Sequence, residues 1–127
     1  MFTPILKLEH ADSRGEIYSI TLPDDKELML LHSKKGTLRG GHSHDVDEVV
    51  VLLTGRMLYY KDGIDGHFEM LIGGEASCNP AWLIHMGEFL EDTWLIEQKL
   101  AKKGEWKNID HAEWRERVKA NAAKTNG

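Results

Sequence analysis

Up to about residue 105 the chain never sustains a 3.6-residue apolar period; it breaks instead into short β-type runs closed by turn residues. Glu16 to Leu22 alternates and stops at Pro23-Asp24-Asp25, and Glu27 to His32 is closed by Ser33-Lys34-Lys35-Gly36. Val49 to Leu53 is a β-branched run, the pattern of a strand buried on both sides, and Thr54-Gly55 ends it. Arg56 to Tyr60 leads into Lys61-Asp62-Gly63, a hairpin turn. His67 to Ile72 stops at Gly73-Gly74, and Trp82 to His85 and Thr93 to Lys99 complete the set. Seven such runs predict an all-β sandwich or barrel.

The tail reads differently. Asp110 and Glu113 have capping-box spacing, and Ile109 and Trp114 sit where a hydrophobic staple would close around that cap. Trp114, Val118 and Ala122 make a narrow stripe at helical spacing. A helix over about 111–124 is expected, its stripe docked on the barrel exterior or on a partner subunit.

A length of 127 residues suits one domain, 1–127, with the barrel over about 12–103. A net charge of −5 argues against a nucleic-acid binder that works through a general basic surface. Cys78 is the one cysteine, so no internal disulfide forms; it reads as a small buried residue. The N-terminus lacks the basic and long apolar regions of a signal peptide. No apolar run approaches the roughly 20 residues of a membrane helix. The chain reads as cytoplasmic, without nucleic-acid or membrane partners.

The chemistry concentrates between Gly36 and Gly55. His42 and His44 lie two apart, and Glu48 follows four residues later. On a strand, residues two apart share a face, so two imidazoles and, if the alternation holds, a carboxylate meet there. That is a divalent-metal site in need of one more ligand, and His85 can supply it. Alone, HxH is also the pattern of a surface pair, and His85 beside Leu83, Ile84 and Met86 that of a core histidine.

Gly36, five residues, His42-x-His44, three residues, Glu48, six residues, Gly55 resembles the first motif of the cupin family in full. Gly74, Pro80 and His85 fit the second motif, with Trp82 where the family has glycine and Phe89 where it has asparagine. The resemblance implies a double-stranded β-helix, or jelly roll. It also implies His42, His44, Glu48 and His85 as ligands of one divalent transition metal: iron, manganese, zinc or nickel. A fainter resemblance joins Asp12-Ser13-Arg14-Gly15 and Arg39-Gly40 to cupins that epimerise or isomerise nucleotide-linked sugars, whose arginines contact phosphate or keto-sugar.

Arg39 and Tyr59 are the candidate catalytic residues, Tyr59 because it shares a face with Met57 and can point into the pocket as a general acid. Glu97 is expected outward, opposite Trp94 and Ile96. His10, His32, His67 and His111 have no partner spacing and read as surface or capping residues. The expected function is Lewis-acid chemistry on a small oxygenated substrate, a sugar or a keto- or hydroxy-acid, of isomerase or epimerase type. A non-haem Fe(II) dioxygenase and a non-catalytic small-molecule binder are the alternatives. The resemblance further implies a homodimer, with residues 1–9 and the Trp106/Trp114 region as contacts.

Overall fold

The computed structural model describes residues 5–62, 68–102 and 104–126; Gly63, of the expected hairpin turn, and His67 lie outside them. Among the described residues eleven strands form, β1 (Ile5–Asp12), β2 (Gly15–Thr21), β3 (Glu27–Ser33), β4 (Leu38–His44), β5 (Glu48–Thr54), β6 (Arg56–Lys61), β7 (Phe68–Ile72), β8 (Ala76–Asn79), β9 (His85–Phe89), β10 (Thr93–Lys99) and β11 (Asn108–Asp110). A helix, α1 (Ala112–Asn126), closes the chain. The strands make two antiparallel sheets, in the orders β1-β2-β3-β10-β5-β8 and β11-β4-β9-β6-β7. This is the all-β layout that the turn-punctuated pattern predicts, in the jelly-roll form that the motif resemblance implies. No helix among the described residues is long and apolar enough to cross a membrane.

Alternation fills the space between the sheets. Leu31, Val50, Leu52, Met57, Tyr59, Leu71, Phe89 and Leu95 form the core. Phe89, which stands where the family motif has asparagine, is one of its buried members.

Several expectations change once the register is seen. Val49 to Leu53 is not buried on both sides: Val50 and Leu52 are buried, Val49 and Val51 half-buried, and Leu53 exposed. The outer residues instead join an apolar row of directly opposed partners across all six strands, Leu8–Tyr18–Leu30–Ile96–Val51–Ala76. Trp94 lies on that outer side as well, stacked on His32 at 4.6 Å between ring centroids. Leu95 is therefore the inward residue, and Glu97, opposite Val50 and Met29, faces the interior rather than the outside. Cys78 is exposed, not buried, because its inward neighbours on β8 are Ser77 and Asn79.

At the C-terminus Asp110 belongs to β11, and its carboxylate is bound by Arg115 (2.6 Å) instead of capping the helix. Trp114 and Val118 are half-buried where α1 comes down beside β4. The side chain of Ala122 lies outside the described residues.

Candidate metal centre

His42 and His85 are directly opposed partners on β4 and β9, and His44 lies two places along β4. The three imidazoles converge, with centroids 4.8 to 5.2 Å apart and one donor nitrogen of each within 4.8 Å of the others. Glu48 approaches from the facing sheet: Oε1 is 3.3 Å from His85 Nε2, and Oε2 is 3.4 Å from His44 Nε2.

The donor chemistry fits a metal. His85 Nδ1 donates to the Leu83 carbonyl at 3.0 Å, which fixes the tautomer that leaves Nε2 free to ligate. His44 is 3% exposed, yet among the described residues neither ring nitrogen makes a well-formed hydrogen bond, Nε2 having only the 3.4 Å approach of Glu48 Oε2. A buried imidazole orphaned in this way is costly unless something takes its lone pair. Burial, then the neighbouring His85 and His44, holds His42 down to about 3, so it is a neutral donor at pH 7.

The glycine pair before His42 sets which residues join it. Arg39 and His42 are three apart and would face opposite sides of a regular strand. Between Gly40 and His42, however, the β4–β9 register shifts by one residue, a β-bulge, with φ of +109° at Gly40 and +85° at Gly41. The extra residue brings Arg39 and His42 to the same side. From outside, Arg115 Nη1 donates to the carbonyls of Gly40 (3.3 Å) and Gly41 (3.5 Å), so α1 holds the bulge.

Behind the imidazoles, Asn79, Glu48 and Lys99 are neighbours on β8, β5 and β10. Asn79 Nδ2 donates to Glu48 Oε1 (3.0 Å) and to the Tyr59 hydroxyl (2.6 Å). Lys99 Nζ is 2.9 Å from Glu48 Oε2 and 3.5 Å from Glu97 Oε2, and it caps the Trp106 ring at 4.6 Å. Burial pushes the Glu48 carboxyl up, but His44, His85 and Lys99 together pull it well below the usual carboxylate range. Burial, then the charge of Glu48, raises Tyr59, keeping it a phenol. Its hydroxyl is committed to Asn79, and its ring meets His85 edge-on at 5.7 Å. Sequence reasoning missed Asn79, Glu97 and Lys99. The signal for the last two was the E-x-K alternation of β10, masked by outward Trp94 and Ile96.

A cavity of about 280 Å³ opens beside His42, with Arg14, Arg39 and Glu97 around an apolar floor of Ile17 and Leu31. Arg39 Nε donates to Ser33 Oγ (2.7 Å) and one Nη to the His32 carbonyl (3.4 Å). Burial, then the nearby Arg14 charge, lowers the Arg39 guanidinium from its ordinary value. Arg14 itself is taken by Asp12, at 2.6 and 3.0 Å.

On the rim, Trp82 has φ +71°, the left-handed conformation for which the family motif uses glycine. Its backbone N–H donates to the His44 carbonyl at 2.7 Å, so the turn is tied to the end of β4 that carries His42 and His44. Trp106 meets His44 edge-on at 5.3 Å. The expected strand over Trp82–His85 starts only at His85, because the left-handed turn precedes it.

No known family profile matches the chain, and no curated protein matches it by sequence. Solved structures do. KdgF from Halomonas sp. superposes with a TM-score of 0.62 at 17% identity, over 73% of this chain and 85% of that one. An RmlC-like cupin from Shewanella frigidimarina gives 0.65 at 16% identity, over 77% and 86%. A salicylate 1,2-dioxygenase from Pseudoaminobacter salicylatoxidans, in complex with gentisate, gives 0.56 at 13%; it covers 62% of this chain but 21% of its own. With the two-sheet architecture, these likenesses establish the fold: a cupin-type jelly roll.

Proposed function

We propose that this cupin is a metal-dependent enzyme of isomerase or epimerase type acting on a small oxygenated substrate. His42, His44, His85 and Glu48 would hold one divalent transition metal. The observation that carries this reading is the convergence of three imidazoles, with His44 left among the described residues without a well-formed hydrogen bond and approached only by the Glu48 carboxylate at 3.4 Å. When bound, the metal supplies Lewis-acid polarisation of a substrate oxygen. The chain's own part is orientation: Leu83 fixes the His85 tautomer, and Asn79 and Lys99 hold Glu48 against the imidazoles. Trp106 shields one side of His44 from water.

Elemental analysis of untagged protein tests it. About one zinc, manganese or nickel per chain is the expected result, and no metal even after reconstitution would sink the reading. A second reading, a non-haem Fe(II) dioxygenase, draws on the same ligand set and on the likeness to salicylate 1,2-dioxygenase. About one iron per chain, with oxygen uptake, would favour it instead.

The outer face of the six-stranded sheet supports a homodimer in this reading. Its row from Leu8 to Ala76 is apolar throughout, and Leu6 and Leu8 at its edge are more than half exposed. A face of this kind, with Leu6 and Leu8 left exposed among the described residues, suits a self-complementary contact.

A further inference from the structure

We propose that the cavity beside His42 takes the carboxylate of a small monoanionic acid, with Arg39 as its anchor and Glu97 as the wall that turns away more highly charged anions. The proposal names the substrate class for the enzyme reading above and rests on it, but the anchor itself is a property of the chain without metal.

Arg39 is 9% exposed and carries a full charge with no carboxylate in ion-pair contact among the described residues. A buried guanidinium is expensive unless paired, and its planar fork matches a carboxylate in two parallel hydrogen bonds. Two of its nitrogens are already held, by Ser33 Oγ and the His32 carbonyl, so the group is fixed in direction and has no freedom to swing to solvent. Nη1 makes no hydrogen bond to a described residue, and the cavity is what remains for it.

The charge count selects the anion. Arg14 lines the same cavity, but Asp12 neutralises it. Glu97 lines it too, with its carboxylate 3.5 Å from Lys99, an ammonium already shared with Glu48. Among the described residues that line the cavity, Arg39, the cation left without an ion-pair partner, thus shares the space with an acid group. A monocarboxylate meets one charge of the right sign; a phosphate dianion brings a second charge toward Glu97. Volume narrows the choice further. About 280 Å³ lies just below the roughly 300–1,000 Å³ of sites that hold drug-sized ligands, which suits a short acid better than a nucleotide diphosphate. His42 at the cavity wall sets the acid's other oxygen toward the metal-binding imidazoles, as in a 2-hydroxy or 2-keto acid.

The test titrates metal-free and metal-loaded protein with glycolate and with inorganic phosphate, following the Arg39 side-chain N–H resonance and the heat of binding. Expected is a glycolate-dependent shift of that resonance in both forms, with tighter binding when metal is present. Arg39→Gln should weaken glycolate at least tenfold with metal content unchanged, and Arg39→Lys should restore part of it. Glu97→Gln should admit phosphate at least tenfold better. Glycolate binding that is indifferent to Arg39→Gln, or phosphate preferred over glycolate by the wild-type protein, would overturn the proposal. Failure to take up metal would remove the enzyme reading alone; the metal-free titration still decides the anchor.

Discussion

Lys99 and Glu48 stand directly opposite each other on β10 and β5, with ammonium and carboxylate 2.9 Å apart inside the barrel. The lysine is thus an internal counter-charge for a candidate metal ligand. Removing one partner of a buried pair strands the other, at a cost of about 3–5 kcal/mol. Lys99→Met should therefore destabilise the metal-free protein by about 3 kcal/mol in denaturant unfolding, and Glu48→Gln in the same chain should return most of it. Simple additivity of the two changes would show that the pair is not coupled.

Metal should be lost when His44 is lost. His44→Ala is expected to reduce metal from about one per chain to background, measured by plasma mass spectrometry. Chelation of the wild type should lower its stability by about 3 kcal/mol if free metal was near a hundredfold above Kd, and should leave His44→Ala unaffected. Metal retained by the variant would mean that the ligand assignment is wrong.

Trp82 holds a left-handed backbone, which costs an L-residue roughly 1–2 kcal/mol, and its side chain is 64% exposed. Trp82→Gly should stabilise the protein by about 1 kcal/mol. A loss of stability in thermal and chemical unfolding would instead reveal contacts of the indole that outweigh the strain.

Asp12 titrates well below its ordinary 3.8 because Arg14, then His10, hydrogen-bond its charged form. A depressed carboxylate favours the fold above the ordinary value, and that contribution fades as pH falls through it toward the native one. Carbon-13 NMR titration should show the depressed value in the wild type and its return upward in Arg14→Ala. The stability gap between the two proteins should be present at pH 7 and narrow below about pH 3.8.

Leu8→Glu changes an exposed residue at the edge of the outer apolar row and should leave the barrel folded. Sedimentation of the wild type as a dimer and of the variant as a monomer is the expected outcome. A monomeric wild type would leave that face without the partner assigned to it.

The convergence of the three histidines could be read from the chain because it rests on local spacing: His42 and His44 share a face by simple alternation, and His85 follows Pro80 at the motif distance. What could not be read depends on register between strands distant in sequence. Asn79 meets Glu48 only through the β5–β8 pairing. Glu97 looked outward because Trp94 and Ile96 are apolar, yet in this barrel the outer face is apolar too, so hydrophobicity does not tell inside from outside. Val49 and Val51 misled for the same reason. Arg39 was visible as a candidate, but its place beside His42 depends on the extra residue in β4.

That extra residue makes the two halves of the site mechanically separable. The histidines are locked to β9 by the His42–His85 pairing, whereas Arg39 lies upstream of the bulge, and the bulge is gripped by Arg115 from a helix more than seventy residues away. A β4 with the bulge drawn straight would turn Arg39 to the outer surface while His42 and His44 kept their places. Whatever loosens α1 would therefore move Arg39 and spare the three histidines, so the arginine side of the candidate site can change in this chain without the histidine cluster being rebuilt.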